Sequence, residues 1–177
     1  MSNRTEVYLS LGSNLGNRDE NLFRARQLIA DKAGILQRIS GLFETAPWGF
    51  ESRNPFYNGC LSVTTSLEPL PLLDTLLGIE QEMGRIRNSA GYSDRAIDID
   101  ILFYGDLLWE HPRLVIPHPD MENRRFVLVP LSEIAPELVH PALGITVREM
   151  LKRCSDPSPV RRVGAQTRWN SRPSQNM

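Results

Sequence analysis

Cysteine is scarce in this chain. Its 177 residues hold two, Cys60 and Cys154, far apart and without the spacing of metal ligands. A cysteine-bound metal is thereby excluded, and two free thiols suit a reducing compartment. Long apolar runs are missing too. No stretch is long enough to span a bilayer, and Met1-Ser2-Asn3-Arg4-Thr5-Glu6 lacks the apolar centre of a leader. A cytoplasmic protein with no membrane partner is the expectation. Charge of one sign is also missing: the net value is −1, which argues against a generally basic, nucleic-acid-binding surface. There is no internal repeat and no second domain. What remains is an ordinary globular composition, 41% apolar and 23% charged, long enough for one domain with a full core.

The most informative stretch is Arg95-Ala96-Ile97-Asp98-Ile99-Asp100-Ile101-Leu102-Phe103-Tyr104-Gly105. Isoleucine and aspartate alternate with the period of a strand, so the isoleucines share one face and Asp98 and Asp100 the other. Asp is depleted in strands. Two carboxylates this close repel unless a cation lies between them, and hard divalent ions such as Mg²⁺ take carboxylate and phosphate oxygens. A solvated acidic face is the bland alternative; the pattern favours metal.

In chain order, residues 7–11 read as a strand ending in the tight turn Gly12-Ser13-Asn14-Leu15-Gly16-Asn17. That turn is no P-loop, because no Gly-Lys-Ser/Thr follows. Leu22, Ala25, Ile29 and Ala33 recur at helical spacing up to Gly34. Residues 35–43 read as a second strand. Residues 44–55 form a proline-bearing loop of the length usually kept for function. Residues 56–65 read as a third strand, with Phe56 and Asn58 on one face. Residues 69–83 read as a helix with prolines in its first turn. The polar segment 84–95, carrying Arg85, Arg87 and Arg95 with glycines at 84 and 91, reads as a mobile lid. Beyond the aspartate strand, residues 107–109 suggest a short strand, 126–131 an apolar segment, and 147–154 a turn or two of helix. Residues 1–154 form the expected single domain, and residues 155–177, rich in Ser, Pro, Arg, Gln and Asn, read as a disordered tail. The series strand, helix, strand, strand, helix, strand predicts an α+β fold, a ferredoxin-like βαββαβ antiparallel sheet with both helices on one face and a C-terminal extension.

Paired aspartates with arginines at 85, 87, 95, 113, 124 and 125 and His118 suit a metal-bound polyphosphate. Phe56 and Phe126 suit a flat ring, with Asn58 reading its amide-like edge. The residues alone therefore point to a Mg²⁺-nucleotide enzyme acting on a small heterocycle. Two rivals exist. A two-metal nucleotidyl transferase also wants paired aspartates, but would carry a basic stripe for its template. An RNA-binding ferredoxin-like domain wants exposed aromatics on its central strands, where residues 7–11 offer only Tyr8.

Several motifs in order carry a resemblance: Gly12-Ser13-Asn14-Leu15; Thr45-Ala46-Pro47-Trp48-Gly49 with Phe56 and Asn58; Gly84-Arg85-Ile86-Arg87; the aspartate strand; Pro117-His118-Pro119; Asn123-Arg124-Arg125-Phe126; and residues 130–136. Across most of residues 7–145 the chain resembles the 6-hydroxymethyl-7,8-dihydropterin pyrophosphokinases. The resemblance implies transfer of pyrophosphate from ATP to the pterin hydroxymethyl group, giving the diphosphate and AMP in folate biosynthesis. It implies two Mg²⁺ ions on Asp98 and Asp100 and catalytic roles for Arg85 and Arg95. Ile101, Arg113, His118 and Arg124 fall on the ATP side. Thr45, Ala46, Trp48, Phe56, Asn58 and Phe126 fall on the pterin. A monomer without nucleic-acid partners is expected. The chain departs from the best-known members at Leu77, Asn88, Gly91, Tyr92 and Pro119.

Overall fold

Strand β1 (Thr5–Ser13) is the axis of the sheet. Its Val7, Leu9 and Leu11 are fully buried on one face, and Tyr8 and Ser10 are nearly so on the other. A strand covered on both faces needs helices above and below, and the chain supplies them. In the computed structural model, which describes residues 3–48, 50–85 and 94–171, β1 pairs antiparallel with β4 (Phe56–Thr65) and with β5 (Asp98–Tyr104). The further strands β2 (Ile35–Ile39) and β3 (Phe43–Thr45) both pair with β4, also antiparallel. A hairpin of β6 (Trp109–His111) and β7 (Leu114–Ile116) forms a separate small sheet. The architecture is mixed α/β, an antiparallel sheet with helices on each face.

Helices α1 (Arg18–Lys32) and α2 (Pro69–Glu82) cover the first face. Leu22, Ala25 and Ile29 from α1 and Leu72, Leu76 and Ile79 from α2 enclose Ile97, Ile99 and Ile101 in one cluster. The Asn17 side chain caps α1 by accepting from the Glu20 amide at 3.1 Å, and Asp19 and Glu20 favour the positive end of the helix. Gly84, at φ 87°, takes the left-handed conformation just past α2. Both helices match the ranges expected from periodicity.

The second face is covered by α3 (Arg125–Ile134) and α4 (Val147–Arg153), which bury Val127, Leu128, Leu131 and Met150 against Tyr8, Cys60 and Phe103. The apolar segment expected at 126–131 is thus a helix, with Phe126 in its first turn and Pro130 inside it. The expected second strand is broken in two at Ser40 and Gly41. The Ser40 hydroxyl there donates to the Gly41 carbonyl at 2.7 Å and accepts from the Cys60 amide at 2.9 Å.

The tail departs most from expectation. Residues 155–171 are laid along the domain rather than disordered. Arg161–Arg162 form β8, which pairs with β3 and makes the sheet order β5-β1-β4-β3-β8. Trp169 is fully buried, and its indole donates to the Ser40 carbonyl at 2.8 Å. The Asp19 carboxylate accepts from the amides of Arg168 and Trp169 at 2.8 and 3.0 Å. Buried Arg26 donates to the carbonyls of Trp169 and Ser171. Composition missed this because one tryptophan among polar residues has no periodicity, although one ring is anchor enough. Trp169→Ala should therefore cost about 3–5 kcal/mol in denaturant unfolding, as for other large aromatic truncations. A loss below about 1 kcal/mol would show that the strap is not part of the core.

Candidate active site

The register of the three central strands lays out the floor of a pocket. Gly12 on β1 stands opposite Asp98 on β5 and opposite Asn58 on β4, so Asp98, Gly12 and Asn58 form one row. The next row holds Asp100, Ser10 and Cys60. Asp98 and Asp100 face the pocket while Ile97, Ile99 and Ile101 face the core, as the alternation predicts. A Cβ on Gly12 would lie 2.9 Å from Asn58 Oδ1 and 3.4 Å from the Phe56 ring, so a side chain there would fill the floor.

Walls rise on both sides. Thr45 is opposite Phe56, and its hydroxyl accepts from the Asn58 amide. Ala46, Trp48 and Phe50 come from the loop after β3, and Arg124 and Phe126 from the start of α3. Trp48 and Phe126 approach to 6.1 Å between ring centroids, and Phe50 meets Phe56 edge-on at 6.2 Å. Arg95 is buried, its guanidinium 5.7 Å from the Phe50 ring centre and 5.6 Å from that of Phe56.

Two arginines hold Asp98. Arg85 Nη1 is 2.7 Å from Asp98 Oδ1 and 2.9 Å from the buried carboxylate of Glu80, and Arg95 Nη1 is 3.5 Å from Asp98 Oδ2. Burial lowers the Arg85 pKa, but the charges of Asp98, Glu80 and Asp100 outweigh it and leave the pKa raised. Asp100 is pushed up to about 7, by burial first and then by the charges of Asp98 and Glu80. That marks a place short of a cation. Among the described residues, no three acidic, histidine or cysteine side chains gather around one point. A divalent ion on Asp98 and Asp100 would therefore complete its shell with substrate oxygens and water, the habit of Mg²⁺ beside nucleotides. The residues fit that ion.

Thr45, Ala46, Trp48, Phe56, Asn58, Arg95, Asp98, Asp100, Arg124 and Phe126 all line this one pocket, and Arg85 reaches it through Asp98. Three expected residues lie apart. His118 lines the neighbouring groove with Trp109 and His140, its amide donating to the Leu102 carbonyl at 2.9 Å. Burial and then the Arg124 charge lower its pKa, which favours the neutral ring. Arg113 is exposed and paired with Asp74 on α2. The Ile101 side chain belongs to the core, because the bulge on β5 falls after it. The lid expected at 84–95 falls mostly outside the described residues, with Arg87, Asn88, Gly91 and Tyr92.

Sequence reading missed Glu80, Phe50 and Ser10. Glu80 accepts from Arg85 and from the Ile99 amide at 2.9 Å. Its signal was a charge on the apolar stripe of α2, one turn past Leu76. Among the described residues, His118 Nδ1 and Arg124 Nε are buried without a hydrogen-bond partner, and both belong to the expected ATP side. Buried polar atoms left so are costly unless a ligand meets them.

Known proteins resemble the chain over this same region. Residues 8–136 match the family model for 7,8-dihydro-6-hydroxymethylpterin-pyrophosphokinase, HPPK. A 2-amino-4-hydroxy-6-hydroxymethyldihydropteridine pyrophosphokinase of Porphyromonas gingivalis is 46% identical over 138 residues, covering 76% of this chain and 93% of that one. Its counterpart in Synechocystis is 42% identical over 155 residues, covering 86% and 78%. Among solved structures, a Plasmodium falciparum HPPK-DHPS protein superposes with a TM-score of 0.69 at 19% identity. That match covers 86% of this chain but 44% of the other, so the likeness is one of fold to part of a longer protein.

Proposed function

The chain belongs to the 7,8-dihydro-6-hydroxymethylpterin-pyrophosphokinase family, pyrophosphokinases of folate biosynthesis, and from that premise we propose how its own residues serve the reaction. Pyrophosphate passes from ATP to the hydroxymethyl oxygen of 6-hydroxymethyl-7,8-dihydropterin, leaving AMP. The pterin ring lies between Phe56 and Phe126, with Trp48, Thr45 and Ala46 at its border and Asn58 bonding its amide-like edge. The phosphates lie over Asp98 and Asp100, with Arg124, His118 and Arg113 towards the nucleotide. Ile101 contributes through its main chain, since its side chain is core. Two Mg²⁺ ions, held by Asp98 and Asp100, would neutralise phosphate charge and align the two reacting oxygens. Arg85 and Arg95 hold the aspartate end in place and place positive charge beside the transferring group.

One observation supports this reading: Asp98, Gly12 and Asn58 share one row of the floor, a carboxylate that suits a cation and an amide that suits a ring edge, with a bare glycine between. A substrate with a flat amide-bearing ring at one end and a phosphate acceptor at the other spans that row. The strand order β5-β1-β4 with β2 beyond supports the ferredoxin-like core within the same proposal. The free thiols Cys60 and Cys154 support a reducing, cytoplasmic setting, and a monomer without nucleic-acid partners completes the proposal.

The purified protein should form AMP from ATP and Mg²⁺ when the hydroxymethyl pterin is present and not without it; AMP formation indifferent to the pterin would refute the reading. Stacking on an aromatic ring is worth about 1–3 kcal/mol in comparable base-binding sites. Phe56→Ala and Phe126→Ala should each weaken pterin binding about tenfold or more in calorimetric titrations. Unchanged affinity in both variants would remove the clamp.

A further inference from the structure

Three segments far apart in sequence meet at one carboxylate just outside the pocket. Asp94 Oδ1 accepts from the Asn14 side chain at 2.8 Å, and Oδ2 accepts from the Asn54 side chain at 3.0 Å. The Ser52 hydroxyl also bonds this carboxylate. Asn14 is buried and turns the contact towards the site. Its Oδ1 accepts from the Arg95 amide at 2.7 Å, and its own amide donates to the Arg95 carbonyl at 3.0 Å. Its Nδ2 reaches the Asn54 carbonyl as well, at 3.2 Å. The Arg95 main chain is thus clamped on both sides by one asparagine, and that asparagine is held by Asp94.

The other arm of the contact runs into the loop that carries Phe50. Residues 52 and 54 bond Asp94, while Phe50 lies against both Phe56 and the Arg95 guanidinium. An aspartate suits this junction because its two oxygens accept from two separate amides at once, and such charge-assisted bonds are stronger than neutral ones. The Ser52 bond, with those of Asn14 and Asn54, holds the Asp94 carboxyl below the usual carboxylate range, so it stays ionised at neutral pH.

We propose that Asp94 is a positioning residue that ties the pterin-side loop to Arg95 through Asn54 and Asn14, so that the ring-binding wall and the arginine beside the phosphates are set together. This rests on the function proposed above. Asp94 touches no substrate; it acts through the clamp on Arg95 and through the loop bearing Phe50. Its loss should therefore disturb pterin binding and the chemical step, and spare the nucleotide.

The test compares Asp94→Ala, Asp94→Asn and Asn54→Ala with the wild type, by single-turnover AMP formation and by separate titrations with pterin and with a non-hydrolysable ATP analogue plus Mg²⁺. Asp94→Ala should slow the chemical step and weaken pterin binding about ten- to a hundredfold, the scale of a lost charge-assisted bond, with ATP-analogue affinity unchanged. Asp94→Asn, keeping one acceptor oxygen, should fall between. Asn54→Ala removes one bond of the loop arm, keeps the Ser52 bond and leaves Asp94 on Asn14, so it tests the link even where Asp94→Ala folds poorly; it should weaken pterin binding, by less than Asp94→Ala, without weakening the ATP analogue. Adding it to Asp94→Ala should cost little more, because both act through one junction. Lowered melting temperature with wild-type kinetics in all three variants would overturn the proposal, as would equal losses for both ligands. A wild type that makes no pterin-dependent AMP would instead refute the function on which it rests.

Discussion

Asp98→Ala and Asp100→Ala are each expected to cut pterin-dependent AMP formation by on the order of a thousandfold or more, even with Mg²⁺ saturating. A metal ion on a phosphoryl group supplies several kcal/mol of charge stabilisation, and each 1.36 kcal/mol is tenfold in rate. Near-normal turnover in either variant would contradict the metal assignment. Their stabilities should diverge. Asp98 is held by Arg85 and Arg95, so removing it should cost about 1–2 kcal/mol, between an exposed pair and a buried one. Asp100 is different: burial and the charges of Asp98 and Glu80 raise its pKa, so the fold prefers its protonated form. In metal-free protein this stabilisation is full below the ordinary carboxylate pKa and is lost as pH rises to about 7. Asp100→Asn should flatten that decline. An identical pH dependence in Asp100→Asn and wild type would show that the strain lies elsewhere.

Arg95→Ala should slow the chemical step by roughly a hundred- to a thousandfold, the usual cost of about 3–4 kcal/mol for one preorganised donor. Arg95 is buried against Phe50 and Phe56, 3.5 Å from Asp98, and clamped through its main chain by Asn14. Such a group is in place before reaction and needs no ordering at the moment of transfer. An interaction made mainly in the transition state lowers kcat on removal and leaves binding nearly unchanged. Lysine at 95 should rescue only in part, because a point charge cannot replace a planar fork. Single-turnover kinetics beside equilibrium titrations decide the matter. A large loss of ATP affinity with an unchanged chemical step would make Arg95 a binding residue only.

Much of the pocket was legible because strands encode it with period two. The alternation at 97–101 places the isoleucines in the core and Asp98 and Asp100 over the pocket, and the same rule puts Phe56 and Asn58 side by side. Helices α1 and α2 were legible through broad apolar stripes and clear stops. Less visible was anything set by a single residue acting at long range. Trp169 has no neighbours to form a pattern, yet it turns a polar tail into a strap over Ser40 and Gly59. Glu80 hides in an apolar helix face because its partners, Arg85 and the Ile99 amide, come together only in the folded chain. Asp94 looks like one more polar residue of a polar segment. Ile101 shows the limit of carrying a role over by position: its side chain belongs to the core and lines neither the pocket nor the neighbouring groove.

One row of three strands carries both ends of the proposed reaction. Strands lie about 4.8 Å apart, so Asp98 and Asn58, one on either side of Gly12, stand roughly 10 Å apart. Mn²⁺ substituted for Mg²⁺ in a complex with hydroxymethyl pterin and a non-hydrolysable ATP analogue would report that separation through its paramagnetic relaxation of the pterin protons. Strong relaxation, corresponding to about 10 Å or less and abolished in Asp98→Ala, is the predicted result. Pterin protons that relax as they do with diamagnetic Mg²⁺ would place ring and metal in separate sites and contradict the account.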